Sequence, residues 1–365
     1  MKRILLVAGG TGGHLFPAIS LIEELLQHDI EIYLLTDHRC IKYLDQKLQQ
    51  HNKIHIKVIR VLFNFSNFFK LLTTVAVNFI AFFKTLFFIL HYRPNVTVGF
   101  GSYASFIALF ISKYLAIPIV LYEFDAILGK ANKFFESSAK MIGLAYTNVS
   151  NMSDQYKDRN FYVGHLVRNK IISLPKKANF DSKIFHILVL GGSQGASIFA
   201  SLLPDTLLYL YSIDSSIQIE ISQQVRNNRE KEKLIKIYEN LQIKYNIQEF
   251  FTDIYQIYSK PSVMLVISRA GASTIAELVT LGLPTIFIPL PTSTNSHQYH
   301  NASILSEQGA SWCYNQEFVT PDILAKKIYE LMCNRELLVS ASKKLLSASY
   351  SQKEAFVSHI IEYMK

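Results

Sequence analysis

Apolar residues in this chain fall into short unbroken runs, and stretches with helical spacing lie between them. In the first half the runs at 4–8, 30–35, 96–98 and 117–122 are too short for helices and predict buried parallel strands, with a weaker one at 141–145. Amphipathic spacing at 17–26 and 105–114 predicts helices between them. The second half repeats the scheme, with strands expected at 184–190, 217–221, 264–267 and 285–288. Alternation of this kind means parallel sheets wrapped by helices. One unit recurs nearly whole, as ILLVAGGTGGHLFP (4–17) and ILVLGGSQGASIFA (187–200), so that Gly9, Gly10, Thr11 and Gly13 fall over Gly191, Gly192, Ser193 and Gly195. Glycines there let a ligand approach the backbone, while the following helix aims its N–H groups and positive dipole end at the same point. The expected architecture is α/β: two Rossmann-like, doubly wound domains sharing a cleft.

Length agrees, because 365 residues exceed the about 100 to 200 that one core usually organises. The polar segment 146–183, which contains Pro175, separates the repeats and is the expected linker. The expected division is therefore 1–165 for an N-terminal domain and 166–340 for a C-terminal one. An amphipathic pattern near the C-terminus (341–365) exceeds what the second sheet needs and is expected to return to the first domain. Three cysteines, Cys40, Cys313 and Cys333, have neither metal-ligand spacing nor an even count, which fits a reducing cytoplasm. The first apolar run is too short, and too soon ended by Gly9-Gly10, for a signal peptide.

Charge is unevenly spread. Between His38 and Arg93 there are nine Lys or Arg residues and one acid, Asp45, so +8 of the formal +9 lies in one segment. That segment holds the Phe- and Leu-rich run 61–90. A membrane span needs about 20 uninterrupted apolar residues, but Lys70 and Lys84 leave 13 between them. Two readings remain: a monotopic contact in which Phe and Leu enter the interface while cations meet anionic headgroups, or a buried helix whose lysines reach solvent. Basic residues interleaved with a greasy run, and no nucleic-acid-binding signature, argue against a nucleic-acid partner.

Candidate chemistry clusters after the strands. At 268–291 a strand ends, Gly271 permits a turn, and a helix starting near Ala272 to Thr274 offers its N-terminus to phosphate oxygens. Glu277, one turn on, either accepts hydrogen bonds from a ribose diol or closes a capping box with Thr274. The polar stretch 291–302 carries His297, Gln298 and His300 and reads either as a set of sugar-hydroxyl ligands or as a solvated loop. His14 follows the first glycine turn, with Pro17 expected at the first helical position. A histidine beside a helix N-terminus stays neutral and can accept a proton, or it merely caps the turn. GFGSYA (99–104), with Glu123 some way on, formally matches a dinucleotide fingerprint, but it follows the wrong strand and puts Tyr103 where a pyrophosphate would lie. The chain has no Walker lysine and no D-x-D metal motif.

Taken together, GGTGGHLFPA (9–18), GFGSYAS (99–105), GHLVR (164–168), GGSQGAS (191–197), SRAGASTIAE (268–277), GLPTIFIPLP (282–291) and HQYHNA (297–302) resemble the bacterial MurG family of lipid-linked N-acetylglucosaminyltransferases. The resemblance implies the GT-B fold and inverting transfer of N-acetylglucosamine from its UDP donor. The acceptor it implies is the muramoyl 4-hydroxyl of an undecaprenyl-pyrophosphoryl muramoyl-pentapeptide. No cofactor or essential metal is implied, and the expected location is peripheral, on the cytoplasmic face of the bacterial plasma membrane and against its anionic surface. By matched motif, His14 is the candidate base with Glu123 assisting. Thr11, Gly12 and Gly13 face the donor diphosphate and the acceptor. Asp125, Arg168, Ser193, Thr252, Ala272, Ser273, Thr274, Ile275, Ala276, Glu277 and Gln298 are donor contacts, with Glu277 on the ribose and Gln298 on the sugar. Tyr103 and Asn132 line the acceptor side. The chain departs from the family pattern at two places. Tyr122-Glu123-Phe124-Asp125-Ala126 stands for His-Glu-Gln-Asn-Gly, and Gly164-His165-Leu166-Val167-Arg168 for Gly-Asn-Pro-Val-Arg. Alternatives are a GT-B enzyme with another lipid acceptor such as diacylglycerol, a noncatalytic UDP-sugar binder, and a nicotinamide-dependent oxidoreductase using GFGSYA.

Overall fold

The computed structural model describes residues 2–62, 67–192 and 195–364, with the side chain of Phe68 left aside, so Ser193 lies outside the described residues. The chain divides into two compact units, Met1–Asn169 with Tyr350–Lys365, and Lys170–Ser349.

The first unit runs β1 (Lys2–Val7), α1 (Gly12–Leu25), β2 (Ile30–Asp37), α2 (Gln46–Gln49), β3 (Ile54–Ile59), α3 (Phe68–Tyr92) and β4 (Val96–Gly99). It continues through α4 (Ser102–Tyr114), β5 (Ile119–Glu123), α5 (Lys130–Phe135), β6 (Ala139–Leu144) and β7 (Asn160–Tyr162). Its seven strands lie in the order β3-β2-β1-β4-β5-β6-β7, every pair parallel. The inner strands are buried along their length, which is why they read as unbroken apolar runs. A short helix, α6 (Asn169–Ile172), spans the crossing into the second unit.

The second unit contains β8 (Phe185–Leu190), α7 (Ser197–Ile213), β9 (Ile219–Gln224), α8 (Asn228–Asn240), β10 (Lys244–Gln248), α9 (Ile254–Tyr258) and β11 (Val263–Ser268). These are followed by α10 (Ala272–Leu281), β12 (Thr285–Phe287), α11 (His297–Glu307), β13 (Trp312–Cys313), α12 (Pro321–Cys333) and α13 (Arg335–Ala348). Its sheet order, β10-β9-β8-β11-β12-β13, repeats that of the first. The last helix, α14 (Lys353–Glu362), belongs to the first unit, where the Gln352 N–H donates to the Val163 carbonyl at 2.7 Å. In each sheet the order reverses beside the first strand, and loops at such a switch point form the crevice in which doubly wound sheets bind ligands. Both glycine turns lie there, after β1 and after β8.

Several local expectations need correction. Helix α1 starts at Gly12, so Pro17 sits inside it and has no N–H to give to the Gly13 carbonyl. The 146–183 segment is not simply a linker, because it supplies β7 to the first sheet. His297, Gln298 and His300 occupy the first turn of α11 and not a loop.

One helix stands apart. In α3 one side, with Ala81, Phe88 and Ile89, packs onto Leu5, Val7, Tyr33 and Leu35. The opposite side exposes Phe69, Leu72, Val75, Phe79, Phe83 and Phe87, at steps of three and four residues that form one stripe about 27 Å long at 1.5 Å per residue. Exposure reaches 79% at Phe69 and 72% at Phe87, far beyond an isolated surface apolar residue. The helix is long and apolar enough to cross a membrane by length and composition, but its inner side is already committed to the core.

Candidate active site

In the first unit the chemistry gathers on the two loops flanking the switch point. Gly9 closes the turn after β1 against α4, since a Cβ there would come within 2.7 Å of Ala104 Cβ. Gly10, at φ +93°, donates its N–H to Asp37 Oδ2 at the end of β2. Asp37 also accepts from Arg39, both from its backbone N–H at 2.8 Å and from Nη2 at 2.8 Å. Burial alone would raise the Asp37 carboxyl, but the donors from Arg39 and Gly10 outweigh it and hold the group below its ordinary range. This is the acidic position that follows the second strand in dinucleotide folds, and here it is spent on the turn and on Arg39.

His14 lies in the first turn of α1. Its Nδ1 is 2.9 Å from the Phe100 carbonyl, and its ring meets Phe124 edge-on at 4.8 Å. A carbonyl only accepts, so Nδ1 carries the hydrogen, and in the neutral ring Nε2 is the basic nitrogen. Gly101, at φ +73°, lies beside it: a Cβ there would sit 3.7 Å from His14 Nδ1 and 3.6 Å from Asn132 Nδ2. A side chain at 101 would crowd both groups.

Glu123 ends β5 and is only 2% exposed. Its Oε1 accepts from Asp125 N–H at 3.0 Å, and its Oε2 from Gly129 N–H at 2.8 Å and Asn132 Nδ2 at 2.9 Å. Burial, and then the charge of Asp125, push the carboxyl up to about 7 against these three donors. Sequence reasoning gave Glu123 a share in proton transfer, whereas its oxygens are engaged in bracing the 124–132 loop. Asn132 is 1% exposed, and its Oδ1 has no hydrogen-bond partner among the described residues.

In the second unit Gln224 braces the glycine turn, accepting from Gly191 N–H at 3.2 Å and donating to the Gly192 carbonyl at 3.1 Å. Across the switch point, α10 begins at Ala272 behind Gly271, with no side-chain cap. Thr274 and Glu277 therefore do not form a capping box. Glu277 is 8% exposed and accepts from the Tyr258 hydroxyl at 3.2 Å, which uses one of a carboxylate's about four lone-pair sites. Tyr258 ends α9, so the preceding loop with Thr252 is tied to α10. Thr252 itself is exposed and lines a cavity with Gln248 and Gln256. Ala272, Ile275 and Ala276 face the core, while Ser273 and Thr274 are partly exposed, so contacts at the first three positions must come from the backbone. Gln298 accepts from Leu290 N–H at 3.0 Å.

Sequence reasoning missed Arg269, which follows β11. Its Nη1 donates to the Ile288 and Pro289 carbonyls, both at 2.9 Å, and its Nη2 to Gln316 Oε1 at 2.6 Å. Burial pulls the guanidinium down to about 10, which still leaves it charged at neutral pH. The only signal was a basic residue at a strand end. Arg168, by contrast, lies in the first unit, its guanidinium 4.0 Å from the Phe16 ring centroid, and not among the second-domain donor residues as expected. Among the described residues no three His, Cys, Asp or Glu side chains are grouped as metal ligands.

Comparison with known proteins resolves the ancestry. Residues 4–144 match the glycosyltransferase family 28 N-terminal domain, and residues 186–360 match the family 28 C-terminal domain. A Rickettsia bellii protein is 38% identical over 99% of both chains, and one from Rickettsia canadensis is 39% identical over the same shares. Both are named UDP-N-acetylglucosamine--N-acetylmuramyl-(pentapeptide) pyrophosphoryl-undecaprenol N-acetylglucosamine transferase. The crystal structure of Acinetobacter baumannii MurG aligns with a TM-score of 0.75 at 26% identity, covering 99% of each chain. The chain belongs to the MurG family. Its fold is GT-B, with the two parallel-sheet α/β domains expected.

Within the MurG family pattern the two departures meet in space. The Tyr122 hydroxyl donates to the Gly164 carbonyl at 2.8 Å and accepts from Leu166 N–H at 3.1 Å. A proline at 166 has no N–H to give, so the tyrosine and the leucine form one unit. His165 stands near Asp125, and burial pulls its imidazole down to about 4 while the Asp125 charge opposes that fall.

Proposed function

We propose that this chain transfers N-acetylglucosamine from UDP-N-acetylglucosamine to the muramoyl 4-hydroxyl of undecaprenyl-pyrophosphoryl muramoyl-pentapeptide. Inversion at the sugar carbon follows from a single displacement. His14 Nε2 takes the proton as the hydroxyl oxygen bonds to the anomeric carbon, and the bond from that carbon to the UDP oxygen breaks. The His14 Nδ1 contact with the Phe100 carbonyl carries this reading, because it leaves the proton-accepting nitrogen at Nε2.

The second unit receives the donor. Amides at the start of α10 and the helix dipole meet the departing diphosphate, and Glu277 takes the ribose hydroxyls. Thr11, Gly12 and Gly13 present the corresponding helix start in the first unit, and Tyr103 and Asn132 lie on the acceptor side. Ser193, Thr252 and Gln298 complete the donor contacts, and Asp125 and Arg168 take theirs from the first unit.

A polyprenyl acceptor stays in the bilayer, so the enzyme must dock there. The exposed stripe of α3, in a segment whose net charge is +8, supports peripheral attachment to the anionic cytoplasmic face. A radiolabelled transfer assay with the lipid-linked muramoyl acceptor tests the reading. Labelled disaccharide-lipid is expected, and its absence alongside transfer to diacylglycerol would favour the other lipid acceptor.

A further inference from the structure

Arg39 has an arrangement that the mechanism above leaves unused. It follows β2, and its side chain is 47% exposed. Its Nε and Nη2 turn back onto Asp37 at 3.4 and 2.8 Å, so the guanidinium is held in one orientation. Its Nη1 has no acceptor among the described residues. Asp37 Oδ2 is shared by Arg39 Nη2 and Gly10 N–H, which puts the guanidinium beside the glycine turn and the start of α1. The guanidinium also stands 5.4 Å from the centroid of the Tyr103 ring. Tyr103 in turn packs on the apolar cluster that seats the inner side of α3.

This sequence of contacts has a direction. From the buried cluster beneath α3 it leads through the Tyr103 ring to a permanently charged fork, then to backbone amides at a helix N-terminus beside His14. A lipid-linked sugar that reaches His14 brings its diphosphate to the same loops, where Arg39 stands beside Gly10 and Tyr103. Guanidinium matches phosphate oxygens in pairs, and one anchored by a buried carboxylate loses little conformational freedom on binding.

We propose that Arg39 binds the diphosphate of the lipid-linked acceptor. This rests on the acceptor assigned above. The donor's diphosphate has the same chemistry, and the test separates the two. In the full chain, Arg39→Gln should raise the acceptor KM at least tenfold and weaken inhibition by inorganic pyrophosphate to the same degree. The Kd for UDP-N-acetylglucosamine should stay within twofold, and Arg39→Lys should fall between wild type and Arg39→Gln. An unchanged acceptor KM, or a loss confined to donor binding, overturns the proposal. A second measurement needs no variant: phenylglyoxal should label Arg39 of the wild-type protein, and pyrophosphate should protect it. A purely structural Arg39 would show no protection, and that result also overturns the proposal. Protection is read even if the wild type transfers no sugar, so failure of the proposed function remains distinguishable.

Discussion

The two glycine turns occupy the same place in two sheets of similar strand order, yet different side chains surround them. After β1 the turn is surrounded by ionisable groups: His14 on the Phe100 carbonyl, Asp37 under Gly10 and Arg39, and Glu123 on its own loop. After β8 the turn is held by the amide of Gln224, and the neighbouring loop by Arg269 bonded to three neutral oxygens. On the function proposed above, one scaffold offers a place where a proton moves and a place where a nucleotide is held. Topology supplies helix N-termini to both, and the few side chains at the strand ends decide the chemistry.

The largest test of this contrast is His14→Ala. Loss of a general base should lower kcat by about 10²- to 10⁴-fold with donor Kd unchanged in calorimetry. Wild-type turnover in this variant would remove the chemical half of the comparison. Next is Glu277→Ala. Losing a hydrogen-bonded carboxylate, about 1.5 to 3 kcal/mol, should weaken UDP binding roughly 10- to 100-fold while leaving acceptor KM alone. If kcat fell instead, the second turn would be more than a binding site.

A smaller effect is expected from Lys70→Glu with Lys84→Glu. Each cation near an anionic surface is worth about 1 kcal/mol. Affinity for anionic vesicles should therefore fall several-fold per site and become less sensitive to salt, and binding unaltered by both changes would refute an electrostatic contact. The smallest concerns Glu123. Its raised carboxyl contributes stability that is complete below the ordinary value of 4.5 and is lost as pH rises through about 7. Glu123→Gln removes that ionisation, so its melting temperature should vary less between pH 5 and 8 than that of wild type. Equal slopes would show that the wild-type carboxyl does not titrate in this range.

Strands β1, β4, β5, β8, β11 and β12 are legible because each is buried and leaves a largely apolar run, whereas β9, IEISQQ, is buried but shows only through Ile219 and Ile221. Strands β3, β7, β10 and β13 are not legible. β3 has Lys57, β10 reads KYNIQ, and β7 and β13 are three and two residues long, so edge strands with one side in water carry no such run. His14 and Glu277 stand out by position after strands, but what they touch does not. The capping box suggested by Thr274 and Glu277 does not form because the helix starts at Ala272, which puts Thr274 inside its first turn, and Glu277 accepts instead from Tyr258, 19 residues upstream. Glu123 stands out at a strand end, but the three donors that its loop folds back to offer are not written in any local pattern.

The sequence by itself determined the fold class and the placing of two helix starts behind two glycine turns, because strand, turn and helix are written in neighbouring residues. Only the tertiary structure decided which nitrogen of His14 is basic, since the Phe100 carbonyl comes from 86 positions away. It likewise decided that Arg39 is held by Asp37 beside Gly10 and Tyr103. Protonation and charge orientation depend on partners that come together only when the sheet closes, and no local pattern records them.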